Sequence, residues 1–260
     1  MTYEYIKTSV DDGVGIITLS DPERLNAVNV VMLQEFGEVL DGFAKRGSGV
    51  RCVVITGEGR GFCAGFNMQV MNKRGSSDAS GIAAESGAVL RNLPKFPLPI
   101  ITAVNGPAAG VGSSIALLGD LVVGAESAYL LLAFRHRGFA PDGGGTYLIS
   151  RLAGKARAME LALLGEKLPM RTALEWGLIN RCVPVEEVMP TALALAKNLA
   201  SGATLALGRA RQLFWEGFDS TWFEAYDAEI EAQGMLGKTN DCKEGVLSFL
   251  EKRKPVFTGT

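Results

Sequence analysis

Two glycine-rich segments, each directly following a short apolar run, carry the clearest chemical potential of this chain. Thr56-Gly57-Glu58-Gly59-Arg60-Gly61-Phe62-Cys63-Ala64-Gly65-Phe66-Asn67 follows the apolar run from Arg51 to Ile55. Asn105-Gly106-Pro107-Ala108-Ala109-Gly110-Val111-Gly112-Ser113-Ser114 follows Ile100-Ile101-Thr102-Ala103-Val104. Segments so poor in side chains offer backbone, and backbone N–H groups are what a developing oxyanion needs. Two such segments, each ending a strand and opening a helix, can converge on one negatively charged oxygen. Either segment alone also reads as tight turns and close packing.

Other glycine-rich chemistries are checked against the same residues. A P-loop requires Gly-Lys-Ser/Thr after the glycines, and a dinucleotide fingerprint requires glycine at position 115, where Ile115 stands. A nucleophile elbow requires glycine two residues after its serine, but Ser113 is followed by Ser114 and Ile115. Cys63 beside the glycines reads as a nucleophile or as a small packed residue. The single histidine, His136, lies between Arg135 and Arg137 in what looks like a solvated turn, so a histidine-based triad or metal site has one residue to draw on. Cys52, Cys63, Cys182 and Cys242 show no C-x-x-C spacing, which suggests neither zinc nor a disulfide frame. Asp142, in Ala140-Pro141-Asp142-Gly143, stands before a helix, and the sequence alone favours a capping role for it.

The elements that must position these groups are legible in outline. Tyr3–Thr8 and Val14–Leu19 flank Asp11-Asp12-Gly13 and read as a hairpin. Met32, Phe36, Val39, Leu40 and Phe43 mark the apolar face of a helix. A strand at 51–56 follows, then a break at Gly75–Ser80, a helix to Leu93 stopped by prolines, and the strand Ile100–Val104. A third strand region covers 120–133 and leads through Asp142 to another helix, so strand, strand and helix recur. Beyond about Glu186 only helical periodicity remains, over 192–199, 204–214, 221–235 and 241–253. The expected division is 1–200, an α/β core with the site, and 201–260, a helical subdomain. Leu193–Leu195 and the stretch from Trp215 to Phe223 read as core or subunit contact.

Composition narrows the partners. With 260 residues, 47% hydrophobic and 21% charged, the chain can bury a large core. Its net charge of -2 and lack of a long basic stripe argue against nucleic acid as a partner. No apolar run reaches the roughly 20 residues of a membrane span, and the first residues lack a signal pattern, so the expected location is cytoplasmic.

The segments GRGFCAGFNM, AVNGPAAGVGSSIALLGD, GFAPDGGGTYLISRLAG and GVLSFLEKRKPVFTG together resemble the crotonase, or enoyl-CoA hydratase/isomerase, superfamily along the whole chain. In character they are similar to epoxyphenylacetyl-CoA isomerase-like enoyl-CoA isomerases. The resemblance implies a crotonase-type spiral of ββα repeats followed by C-terminal helices that build homotrimers, or hexamers as paired trimers. It also implies an acyl-CoA thioester as substrate, held by its carbonyl oxygen between two backbone N–H groups, with no metal or redox cofactor.

Residue by residue, the resemblance places the two oxyanion donors at Phe66 and at Val111. It places CoA contacts at Arg24, Leu25 and Ala27, at Ala64, Gly65, Asn67 and Met68, at Gly110, and at Lys252 for the phosphates, where a neighbouring subunit completes the contact. Hydratases of the family use two glutamates, and this chain has Ser114 and Phe134 at the matching positions. Asp142 matches the acidic residue of some isomerases, which turns its expected role from helix cap to base. The expected function is therefore an acyl-CoA isomerase, with a hydratase or a non-catalytic CoA-binding protein as alternatives. The acyl group is expected against Phe66, Gln69, Met71 and Leu90, and Phe134, Phe139 and Phe66 are expected to raise the pKa of Asp142.

Overall fold

The computed structural model describes residues 3–75 and 79–260, so residues 76–78 of the expected break at 75–80 fall outside them. Strands β1 (Ile6–Asp11) and β2 (Val14–Leu19) form the antiparallel hairpin. Asp12 (φ 49°) and Gly13 (φ 78°) both adopt positive φ, the requirement of a two-residue turn matching the strand twist. The hairpin starts at Ile6, because the preceding chain is held instead by Glu35, whose carboxylate accepts from the Glu4 and Tyr5 N–H groups.

Beyond the hairpin, α1 (Val30–Ala44), β3 (Cys52–Gly57), α2 (Met68–Arg74), α3 (Ala79–Asn92) and β4 (Ile100–Val104) follow. Asn29 caps α1 by accepting from Met32 N–H at 2.9 Å, and Met32, Phe36, Val39 and Leu40 are buried as their spacing predicts. The chain continues with β5 (Ala108–Ala109), α4 (Val111–Leu117), β6 (Leu121–Ala125), β7 (Tyr129–Leu131), α5 (Gly145–Leu164), β8 (Leu168–Pro169), α6 (Met170–Glu175) and β9 (Arg181–Val183). The strand region expected at 120–133 holds two strands, β6 and β7, divided by a turn that Ala128 N–H closes onto Ala125 C=O at 2.9 Å. Each joins a different sheet.

The larger sheet has six strands in the order β1-β2-β3-β4-β6-β9, parallel from β2 onward, and the smaller has three in the order β5-β7-β8. Every residue of β3 and β4 is buried, as expected for parallel strands covered on both faces. Their parallel register, Thr56 opposite Ala103, brings both carboxyl ends to the same sheet edge. Ligands in open α/β sheets bind at that edge.

Helix α7 (Val185–Ala200) packs on β3, β4 and β6, and α8 (Thr204–Gly217), α9 (Trp222–Leu236) and α10 (Asn240–Leu250) follow. Arg211 of α8 is buried: its Nε donates to Asp120 at 2.7 Å and its other nitrogens donate to the Leu93, Pro94 and Phe96 carbonyls. That arginine ties α8 to the turn before β4. On α8 to α10, Phe214, Trp222, Phe223 and Phe249 are exposed by 75% or more. No helix among the described residues is long and apolar enough to cross a membrane.

Candidate active site

The two glycine-rich segments meet because neighbouring parallel strands deliver them to one edge. Cys63 N–H donates to Pro107 C=O at 3.1 Å and Ala109 N–H to Cys63 C=O at 2.9 Å, so the loops pair like short strands. Asn105 joins them from β4: its Oδ1 accepts from Gly57 N–H at 3.2 Å and its Nδ2 donates to Gly59 C=O at 2.9 Å. Asn26, fully buried and left-handed at φ 56°, donates to Gly61 C=O at 2.8 Å and fastens the 24–27 turn to the same loop. Gly112 is required for this closeness, since a Cβ on it would lie 2.2 Å from Cys63 O.

Phe66 bridges to Val28: Val28 N–H donates to Gly65 C=O and Asn67 N–H to Val28 C=O, both at 2.8 Å. The Phe66 N–H itself has no acceptor among the described residues. Gly110 takes φ 54° and ψ -130°, turning the chain so that Val111 becomes the first residue of α4. Val111 N–H is one of the donors that a helix start leaves unpaired, and it too has no acceptor among the described residues.

Both amides belong to residues lining a cavity of about 350 Å³, walled by Leu33, Met71, Leu90, Phe134 and Phe139, with Asp142 as its only carboxylate among the described residues. Asp142 does not cap α5, correcting the reading that sequence alone favours. The cap residue is Gly144, in left-handed conformation, with no side-chain bond to the first turn. Asp142 instead lines the cavity as an exposed residue, and desolvation by the surrounding protein raises its pKa. Its own backbone N–H opposes that shift. The three phenylalanines expected around it all line the cavity.

Ala64, Gly65, Met68 and Gly110 join Phe66, Val111 and Asp142 around the cavity. Arg24, Leu25, Ala27 and Asn67 do not line it. Leu25 C=O accepts from Ala64 N–H at 2.9 Å, Arg24 is held to Asp21 at 3.2 Å, Ala27 is buried, and Asn67 caps α2 by accepting from Gln69 N–H. Gln69, expected on the acyl wall, is absent from it. Lys252 follows α10 at φ 55°, next to Arg253, which pairs with Glu244 at 2.8 Å. None of α8 to α10 contributes to the cavity wall, and Lys252 does not line it.

Leu33 and Arg137 line the cavity without having been singled out, Leu33 because its spacing shows only that it faces inward and Arg137 because a flanking charge reads as solvated surface. Cys63 is fully buried, and burial pushes its thiol up to about 11, which suits packing rather than attack. His136 bonds the Gly165 carbonyl at 2.8 Å while Arg135 donates to Leu164 C=O at 3.1 Å, so both close the carboxyl end of α5.

A parallel-sheet edge, paired glycine loops with two unpaired amides and one carboxylate lining an apolar cavity define the class. The chain belongs to the enoyl-CoA hydratase/isomerase family, whose profile matches residues 9–260. It is 42% identical over 260 residues to the 1,2-epoxyphenylacetyl-CoA isomerase of Escherichia coli K12, covering 98% of this chain and 99% of that protein. It is 38% identical over 259 residues to a probable enoyl-CoA hydratase of Rhodobacter capsulatus, covering both in full (100% and 100%). The solved enoyl-CoA hydratase of Polaromonas sp. JS666 superposes with a TM-score of 0.92 at 31% identity, over 97% of this chain and 99% of that one. The fold is thus the crotonase fold with a helical C-terminal region.

Proposed function

We propose that this protein is an acyl-CoA isomerase in which Asp142 takes a proton alpha to the thioester and returns it elsewhere on the same substrate. The Phe66 and Val111 amides hold the enolate oxygen formed between the two transfers. The observation that carries the reading is that Asp142 is the sole carboxylate on the cavity wall among the described residues, with both unpaired amides on the same wall. A carboxylate is a weak base toward carbon, so the amides must lower much of the barrier; one such donor is worth about 2.7–4 kcal/mol. A pKa raised by burial makes Asp142 a stronger base. The reaction so written uses no metal and no redox cofactor.

Addition of water is disfavoured by two side chains. At the positions of a hydratase's glutamates stand Phe134, which faces the cavity with a ring, and Ser114, which is buried and absent from the cavity wall. The hydratase reading is kept alive by the Rhodobacter relative, described as a probable hydratase. The relative at 42% identity is an isomerase of an epoxide-bearing acyl-CoA, which supports moving a double bond or opening a ring epoxide here. Incubation with beta,gamma-enoyl, alpha,beta-enoyl and ring-epoxide CoA esters, followed by mass and isomer analysis, decides the matter. Isomerised products of unchanged mass support the proposal, and hydration of crotonyl-CoA as the fastest reaction refutes it.

The same proposal takes residues 201–260 as the oligomerisation region of a homotrimer or a hexamer, acting in the cytoplasm. Arg24 and Lys252 meet the CoA phosphates, the latter from a neighbouring subunit.

A further inference from the structure

Ser114 is a fully buried hydroxyl on α4, three residues after Val111, and the chemistry proposed for the cavity gives it no part. Its Oγ donates to the main-chain carbonyl of Asp142 at 2.8 Å. The same carbonyl accepts from Gly145 N–H at 3.1 Å, so two donors from different elements fix one peptide group. The loop is shaped around this hydroxyl. A Cβ on Gly145 would lie 2.8 Å from Ser114 Oγ, and one on Gly143 would lie 3.0 Å from Ser114 Cβ and 2.8 Å from Val111 Cγ2. Any side chain at either glycine would push the loop off α4.

We infer that Ser114 is a positioning residue: its hydroxyl sets the Asp142 carboxyl at a fixed distance from the Val111 amide by latching the loop to the helix that carries that amide. The inference rests on Asp142 acting as the base. Asp142 needs such a latch, because its carboxyl is bonded only by its own backbone N–H and its helix is capped by Gly144 instead. One end of the latch is a rigid, wholly buried helix and the other is the peptide group of the base itself. A base displaced by about 1 Å can lose on the order of a hundredfold in rate without any loss of binding.

The test uses two variants that break the latch from opposite sides. Ser114→Ala removes the hydroxyl, and Gly145→Ala presses a methyl group against it. Each is expected to lower kcat tenfold or more with KM changed less than about twofold. Each is also expected to shift the acid limb of the pH profile to lower pH, because a loosened loop surrounds the Asp142 carboxyl with more water and relieves the desolvation that raises its pKa. A merely structural serine would lower stability without moving that limb. Should Ser114→Ala fail to fold, Gly145→Ala alone carries the test. Unchanged kcat and an unmoved limb in the folded variants overturn the inference. Asp142→Asn serves as the control: if it is inactive while the latch variants match the parent, only this inference fails, and if it is fully active the base assignment and this inference fail together.

Discussion

Gly65 and Gly110 lie face to face where the two glycine-rich loops meet: a Cβ built on Gly65 would stand 2.8 Å from Ala109 O and 3.6 Å from Gly110 Cα. Each directly precedes one of the unpaired amides, Phe66 and Val111. The spacing of the amides is therefore set by backbone-to-backbone contact, with no side chain between to flex. Preorganised donors of this kind need no rearrangement as charge develops.

Gly110→Ala separates space from conformation. Its Cβ would have room, the nearest atoms being Gly65 Cα at 3.7 Å and Phe134 Cζ at 3.9 Å, but φ 54° with ψ -130° is closed to a side chain. Strain of this kind costs about 1–3 kcal/mol. We expect either that loss in thermal or urea unfolding, or a relaxed turn that tilts the Val111 amide and lowers kcat by about 10²–10³. A variant with parental stability and parental kcat removes Val111 from the site.

Asp142→Asn keeps the size of the side chain and removes the base. Turnover should fall by about 10² or more while binding of a saturated acyl-CoA stays within a few-fold. In deuterated water the parent should exchange an alpha proton of bound acyl-CoA and the variant should not, as read by mass spectrometry. Near-full activity in the variant would end the isomerase assignment.

The pH dependence follows from the raised pKa of Asp142. Catalysis needs the ionised form, so kcat/KM should rise with pH through a value above the ordinary aspartate range of about 4. The sign for stability is opposite. A folded chain that holds this proton more tightly than the unfolded chain is favoured below the ordinary value and loses that contribution as pH climbs through the raised one. Asp142→Asn should flatten both profiles over that interval, which kinetics and denaturant titrations at stepped pH would show.

Arg24→Ala and Lys252→Ala should each weaken CoA-ester binding severalfold at low ionic strength, with the difference shrinking as salt screens the charges. Calorimetry at two salt concentrations reads this. Loss of the Lys252 effect in a monomeric variant would mark it as a neighbour's contribution, whereas no effect from either substitution in the intact assembly excludes phosphate contact.

Phe214, Trp222, Phe223 and Phe249, exposed by 78%, 75%, 77% and 83%, are more apolar surface than an isolated subunit keeps bare. Light scattering at micromolar concentration should give a mass three or six times that of the chain. Trp222→Asp with Phe223→Asp should shift it downward. A monodisperse parental monomer defeats the trimer.

Local pattern was enough for several elements. Ile100–Val104 is the strand that its apolar run marks, Asp12-Gly13 makes the hairpin turn, and the i, i+3, i+4 spacing from Met32 to Leu40 gives the buried face of α1. Each depends on nearest-neighbour dihedrals and on a periodicity that any window of sequence displays. The likeness of the quoted motifs to a known family carried the rest of the expected site.

What the sequence by itself determined is that two bare backbone segments leave two strands, and that one aspartate precedes a helix. Only the tertiary structure decided that β3 and β4 are parallel neighbours, so that both segments leave the same edge and their glycines touch. It also decided that Asp142 lines the cavity while Gly144 caps the helix, that Ser114 turns its hydroxyl to the Asp142 carbonyl, and that Leu33 and Arg137 complete the wall. The physical reason is range. Dihedral preference and periodicity act within a few residues, whereas strand neighbours and the partner of a buried hydroxyl are chosen by packing across the whole core, between residues as far apart in sequence as Phe66 and Asp142.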